Sequence, residues 1–353
     1  MTTTPTQAGE APRTLLAAAR QGDEDAYRGL VELHRGELHA HCYRMLGSVQ
    51  DAEDALQDSL LRAWRGLARF EERSSLRNWL FRIATNTCLN VIERRPPRHL
   101  PIGFGKAGDP FASEEVPLVE SVWIDPYPDA QLGVADGFAA PAARYERRES
   151  LELAFVAALQ LLPAGQRAVL IMREVLGFSA REVSEALDTS VASVNSSLQR
   201  ARKALAGQLP EQSQQEARRA LGEPELEGLV RRYADAMERA DIDAVVAMLT
   251  EDATWSMPPW SSWFDGPDAI FAFLRDHALN GDTWRHVATS ANGQAAVGCY
   301  IHSAERQCYV PGVIDVLTIR GDRIATVTAF VTPEIFPRFA LPESVPLRGD
   351  EAS

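Results

Sequence analysis

Seven side chains able to touch DNA crowd one short stretch, "VASVNSSLQRARKAL" (191–205): Ser193, Asn195, Ser196, Gln199, Arg200, Arg202 and Lys203. Short hydroxyl and amide groups suit hydrogen bonding to base edges, and guanidinium and ammonium groups suit phosphates. A second set lies in "SSLRNWLFRIATNTCLNVIERRPPR", where Arg77, Asn78, Trp79, Arg82 and Asn86 are followed by Arg94, Arg95 and Arg98. Cations, amides and an indole together suit single-stranded DNA, because unstacked bases lie on rings while arginines meet the backbone. Taken singly, each set also fits a solvated polar face of a helix. A third cluster, His34, His39, His41 and Cys42, invites a metal, but its spacing matches no zinc pattern and core-type Leu38, Met45 and Leu46 surround it. We expect helix packing there, no metal and no cofactor.

The elements carrying these groups are helices. Val191, Val194, Leu198, Ala201 and Leu205 fall at spacings of 3, 4, 3 and 4, an apolar stripe opposite the polar front, with Thr189 or Ser190 as N-cap. Upstream, "SAREVSEALD" predicts a short helix capped by Ser179 with Val183 and Leu187 inward. "LPAGQRAVLIMREVLGFS" predicts another, starting near Pro163 and stopped by Gly177. Two short helices joined by a tight turn behind a supporting helix make a helix-turn-helix. In the N-terminal part, "SVQDAEDALQDSLLRAWRGLARF" turns Ala52, Leu56, Leu60, Ala63 and Trp64 inward and leaves Asp51, Asp54, Gln57 and Asp58 as an acidic surface. The next helix buries Leu76, Leu80, Ile83, Thr87 and Val91 and presents Asn78, Arg82, Thr85 and Asn86.

The whole chain is acidic: 36 Lys+Arg against 49 Asp+Glu give a net charge of −13 over 353 residues, which argues against a free-standing DNA binder. Four cysteines without paired spacing and the lack of any long apolar run point to a reduced, cytoplasmic protein with no membrane span. The length predicts two or three domains. Residues 14–98 read as one helical domain, 99–148 as a Pro/Gly-rich linker, 149–208 as the helix-turn-helix and 225–342 as a last domain. "PEQSQQEARRALGEP" reads as a polar connection. Within the linker, Trp123, Ile124 and Tyr127 of "VWIDPYPD" are costly to leave in water and should dock on a neighbouring domain.

"DAEDALQDSLLRAW", then "SSLRNWLFRIATNTCLNVIERR", then the helix-turn-helix block resemble, in this order, an extracytoplasmic-function sigma factor of bacterial RNA polymerase over about 14–98 and 149–208. The resemblance implies that Asp51, Glu53, Asp54 and Gln57 bind core polymerase. It implies that Arg77, Asn78, Trp79, Arg82 and Asn86, with Arg94 and Arg95 beyond, trap unstacked bases of the −10 element. Ser193, Asn195, Ser196, Gln199, Arg200, Arg202 and Lys203 would then read the −35 element in the major groove. Many relatives carry a cation where this chain has Asn195, so its recognition helix leans more on polymerase for affinity. A polymerase subunit need not bind promoter DNA alone, which accommodates the acidic total.

Between 225 and 342, helices come first and strands rich in Val, Ile, Thr and aromatics follow, with Gly321-Asp322 as a tight turn: an α+β cone. "RADIDAVVAMLTEDATW" and "VIDVLTIRGDRI" resemble SnoaL-like domains of the nuclear-transport-factor-2-like superfamily, which includes polyketide cyclases and ketosteroid isomerase. By that resemblance Tyr233 and Asp315 match an oxyanion hole, but the position of the base is Met257, which cannot abstract a proton. A pocket lined by Tyr233, Trp255, Met257, Trp260, Trp263 and Phe264, with Asp315, would take an apolar small ligand. The reading ranks intramolecular docking on the sigma domains first, ligand sensing second and catalysis last. We expect a non-enzymatic alternative sigma factor whose C-terminal domain adjusts its activity. Two alternatives stay open: a ligand-responsive regulator acting without polymerase, and an isomerase or cyclase with a DNA-binding appendage.

Overall fold

The computed structural model describes residues 10–103, 106–108, 122–132 and 148–347; most of the predicted linker lies outside this set. Contacts divide the chain into two compact units. One gathers 1–97, 131–144 and 158–208, the other 98–130, 145–157 and 209–353.

In the first unit, α1 (Glu10–Arg20), α2 (Glu24–Leu46), α3 (Val49–Gly66) and α4 (Leu76–Ile92) pack into one helical body. Each of the last three starts where a short polar side chain accepts a backbone N–H: Asp23 from Ala26, Ser48 from Asp51, Ser75 from Asn78. Gly47, at φ 69°, ends α2 in the left-handed conformation that suits glycine. Leu30, Leu38, Cys42, Met45, Leu56, Leu80, Phe81 and Cys88 fill the core. His41 is fully buried, its Nε2 lies 2.9 Å from Thr85 Oγ1, and burial pushes its pKa down to about 3. Thr85 therefore departs from the predicted outer face: it is buried and donates to Phe81 O.

After α5 (Leu153–Gln160) come α6 (Ala164–Leu170), prolonged by a π-turn to Val175, then α7 (Ala180–Ala186) and α8 (Val191–Leu205). Ser179 and Glu182 form a capping box on α7, and Ser190 caps α8. Asp188, at φ 49°, makes the turn between them. Both α6 and α7 also pack on α4. Arg167 holds this junction. Its buried guanidinium donates to Met45 O at the end of α2, to Gln160 Oε1 (2.6 Å) and O (3.1 Å), and to Leu162 O (3.2 Å).

The second unit is the α+β cone. A seven-stranded sheet runs β2-β1-β6-β5-β4-β3, with β7 (Val345–Pro346) on β5. Its strands are β1 (Leu249–Ser256), β2 (Trp263–Asp265), β3 (Trp284–Ala291), β4 (Gln294–Ser303), β5 (Cys308–Arg320) and β6 (Arg323–Phe330). Only the β1–β6 pairing is parallel. Asn292 (φ 56°) and Gly293 (φ 70°) close the β3–β4 hairpin, and Gly321 (φ 63°) opens the β5–β6 turn. Helices α10 (Glu223–Glu238), α11 (Ile242–Ala247) and α12 (Pro267–Phe273) accompany the sheet.

One sequence expectation changes here. "PEQSQQEARRALGEP" is not a mere connection: it contains α9 (Gln214–Leu221), capped by the Ser213–Glu216 box. Buried Gln214 exchanges hydrogen bonds with the backbone of Ile319, and Gln215 donates to Gly293 O, so glutamines that look solvent-seeking in sequence are satisfied by sheet backbone. Asp252 sits within β1 and pairs with Arg320.

The segment before the helix-turn-helix does dock, as its apolar residues predict. Trp123, Ile124 and Tyr127 are buried in this unit. His99 and Trp123 form a parallel bridge, and Arg98 donates to Trp123 O. Tyr127 N donates to Asn292 Oδ1 (2.7 Å), Asn292 N to Tyr127 O (2.8 Å), and Gly293 N to Asp129 Oδ1 (2.8 Å). Asn292 Nδ2 donates to Leu151 O (2.7 Å) and Leu153 N to Gln294 Oε1 (3.0 Å). The tip of one hairpin thus grips chain on both sides of the undescribed residues 133–147.

Candidate nucleic-acid interface

On α8 the apolar back, Val194, Leu198, Ala201 and Leu205, is buried, while Val191 at the first turn is exposed. Ser193, Asn195, Ser196, Gln199, Arg200, Arg202 and Lys203 are all exposed. Arg202 is engaged by Glu174 (Nε to Oε1, 2.6 Å) and Arg200 donates to Ser197 Oγ (3.2 Å). The remaining polar groups form a continuous outer face on a helix supported from behind.

The α4 set divides. Trp79, Arg82 and Asn86 line a cleft of about 620 Å³ with Arg62, Gly66, Arg69 and Ile83; Glu185, Ala186 and Asp188 complete the lining. Trp79 is buried against Phe70, ring centroids 4.8 Å apart, and its ring crosses Gly66 so closely that a Cβ there would lie 3.3 Å away. Arg77 is committed elsewhere: its Nε donates to Glu37 (3.0 Å), and its guanidinium stacks on Phe81 and Phe178. Asn78 donates to Glu182. Arg94 is exposed and away from the cleft lining, and Arg95 pairs with Asp51. Arg62 and Arg69 were missed in the sequence; with Arg65 they form a 3,4-spaced cationic row in "LRAWRGLAR", which was the available signal.

Of the predicted acidic surface, Asp54 and Gln57 are exposed and Glu53 is half-buried, paired with Arg35 (3.0 Å). Asp51 departs from it: buried in the first turn of α3, it holds Arg95 from beyond α4. Two leucines, Leu33 on α2 and Leu61 on α3, are exposed.

In the cone, Tyr233 Oη donates to Asp315 Oδ2 (2.8 Å) and Cys299 Sγ to the same oxygen (3.3 Å). All three are buried. Burial pushes Asp315 up to about 6 against the opposing effect of those hydrogen bonds, and drives Tyr233 and Cys299 well above their usual values. Tyr233 and Trp255 pack in the same core as Phe264 and Phe273, with Met257 partly buried against it and Trp260 partly exposed. The matched oxyanion pair is therefore spent on itself. Trp255 Nε1 is buried without a hydrogen-bond partner.

A helix-turn-helix joined in one unit to a cleft of arginines and a tryptophan defines a DNA-directed transcription protein with a fused α+β cone. Residues 30–96 match the Sigma-70 region 2 family, 152–205 Sigma-70 region 4, and 230–327 the SnoaL-like domain. The chain is 42% identical over 331 residues to the ECF RNA polymerase sigma factor SigG of Mycobacterium tuberculosis strain H37Rv, covering 93% of this chain and 86% of the relative. It is 30% identical over 192 residues to the ECF RNA polymerase sigma factor SigW of Bacillus subtilis strain 168, covering 54% of this chain and 92% of that one. The crystal structure of the Mycobacterium tuberculosis extracytoplasmic function sigma factor SigJ superimposes with a TM-score of 0.53 over 90% of this chain and 99% of its own; at 20% identity it bears on the fold. The chain belongs to the extracytoplasmic-function sigma factors of RNA polymerase and carries a SnoaL-like domain at its C-terminal end.

Proposed function

We propose that this sigma factor, working in the cytoplasm, brings core RNA polymerase to its promoters through three surfaces. The exposed front of α8 reads the −35 element in the major groove. The cleft around Trp79, Arg82 and Asn86, widened by Arg62 and Arg69, captures unstacked bases of the −10 element. Glu53, Asp54 and Gln57 meet polymerase, and exposed Leu33 and Leu61 add apolar contact area. The observation that carries this reading is the cleft, where an aromatic ring, an amide and three guanidiniums converge from α3, the turn after it and α4. Extracting a base costs a few kcal/mol, which stacking and charge at such a site offset. In run-off transcription with core polymerase, Trp79→Ala and Arg82→Ala should each depress output from a duplex promoter and recover on a template already melted at −10. Output unchanged on both templates would refute the assignment.

The C-terminal domain acts as a regulator by docking, not as an enzyme. Its hairpin tip holds Tyr127 and Asp129 on one side and Leu151 and Leu153 on the other, within the chain that joins α4 to the helix-turn-helix, and so governs how far apart the two DNA readers can move. Truncation near residue 210 would strand Trp123 and Tyr127 as well as remove the domain. Asn292→Gly is cleaner: glycine suits φ 56°, while both side-chain bonds to the tether vanish. It should change promoter output severalfold with core polymerase; identical output would remove the regulatory role. Met257 at the position of the base and the mutual pairing of Tyr233 and Asp315 favour this over isomerase chemistry.

A further inference from the structure

The acids of α7 and the turn after it lie against the −10 cleft of the same unit. Asn78 Nδ2 donates to Glu182 Oε1 at 2.5 Å. Glu185, which also pairs with Arg181 (3.0 Å), and Asp188 line the same cleft as Arg69, Arg82 and Arg62, the last of them paired with Asp58 (2.8 Å). Phe178, just before α7, covers Arg77 edge-on to Phe81, ring centroids 5.7 Å apart. Met172 Sδ accepts from Thr85 Oγ1 on α4. All of these residues belong to the first compact unit.

We propose that this acidic edge imitates the single-stranded DNA it displaces: Glu182, Glu185 and Asp188 present carboxylates to the amide and guanidiniums that a promoter strand needs. The inference rests on reading the α4 cleft as the −10 site and names what shuts that site in the unpartnered chain. Geometry makes the two occupants exclusive. The Asn78 N–H that serves Glu182 is withheld from a base, and a strand entering past these acids must part α7 from α4. Anions lining one cleft with Arg69, Arg82 and the Asp58-paired Arg62 also lower the local positive potential that would recruit a phosphate backbone, within the reach of unscreened charge in solution. Engagement with polymerase would then open the site by parting the two helical regions, so strand capture is confined to the assembled enzyme.

The test removes the charges and keeps the fold. Glutamine preserves the capping box at 182, and asparagine tolerates the left-handed φ of 188. The full-length protein carrying Glu182→Gln, Glu185→Gln and Asp188→Asn is titrated with a short fluorescent single-stranded oligodeoxynucleotide of mixed sequence. A control carries Glu251→Gln, Glu305→Gln and Asp322→Asn on exposed sites of the cone, so both reach the same net charge, −13 + 3 = −10. The acidic-edge variant should bind roughly tenfold more tightly than the parent, the control within roughly twofold of it. Adding Arg82→Ala to the variant should cancel the gain. Equal binding by variant and control, or a gain that survives Arg82→Ala, would overturn the proposal. The −10 reading is judged separately, by transcription of the Trp79 and Arg82 variants with core polymerase on duplex and pre-melted templates.

Discussion

The faces of α4 and α8 carry similar chemistry and stand in opposite conditions. On α8 every predicted DNA contact points to solvent, and among the described residues only Arg202 is bound by an acid from another segment. On α4, Arg77 is stacked between two phenylalanines, Asn78 is hydrogen-bonded to α7, Trp79 is buried, and of these predicted contacts on the helix Arg82 and Asn86 alone are exposed. The difference follows from the substrates proposed for them. A helix that enters the major groove of intact duplex is ready once its back is supported. A site for extruded bases has to be concave, with an aromatic floor, and a concave site can be filled by the protein itself.

The sharpest way to break the contrast is Arg167→Met. The substitution leaves Met45 O, Gln160 O and Leu162 O without their buried donor, and should lower the free energy of unfolding by about 3 kcal/mol. Urea titration measures it, and hydrogen exchange should show the end of α2 and the α5–α6 turn losing protection before α8 does. Stability within error of the parent would show that the junction does not depend on this guanidinium.

Asn195→Arg sharpens the comparison from the other side. Asn195 is exposed on the free face, so an added cation meets no acid there and should steepen the salt dependence of −35 duplex binding by about one phosphate contact. Binding measured against salt concentration checks it, and an unchanged slope would move Asn195 off the DNA face.

The smallest effect belongs to the cone, where polar groups are turned inward. Asp315 is pushed from 3.8 to about 6 in the folded protein. Between those values the folded state holds more protons than the unfolded one, so stability falls as pH rises from about 4 to about 6. Asp315→Asn should flatten the dependence of melting temperature on pH in that window. An unaltered profile would mean that Asp315 is not the group responsible.

Much of the architecture was legible in residue order. Period-3.6 stripes marked α3, α4 and α8, Ser179 and the pair Thr189 or Ser190 marked helix starts, and the Gly321-Asp322 turn marked a hairpin. Trp123, Ile124 and Tyr127 announced by their apolar area alone that their segment must be covered. The misreadings share one cause. Gln214, Gln215, Thr85 and Asp51 are polar side chains whose partners are remote in sequence: sheet backbone for the glutamines, His41 and Met172 for the threonine, Arg95 for the aspartate. Periodicity assigns a polar residue to solvent because it has no way to supply such a partner.

The sequence by itself determined which helices form and what each face carries, since hydrophobic spacing and capping chemistry act within a few residues. Tertiary structure alone decided which of those faces is open. Arg62 and Arg69 join Trp79 because α3 and α4 converge, and Glu185 and Asp188 line the same cleft, with Glu182 accepting from Asn78, because α7 packs on α4. Charge and hydrogen bonding at that cleft depend on distances between segments far apart along the chain, and such distances exist only once the chain has folded.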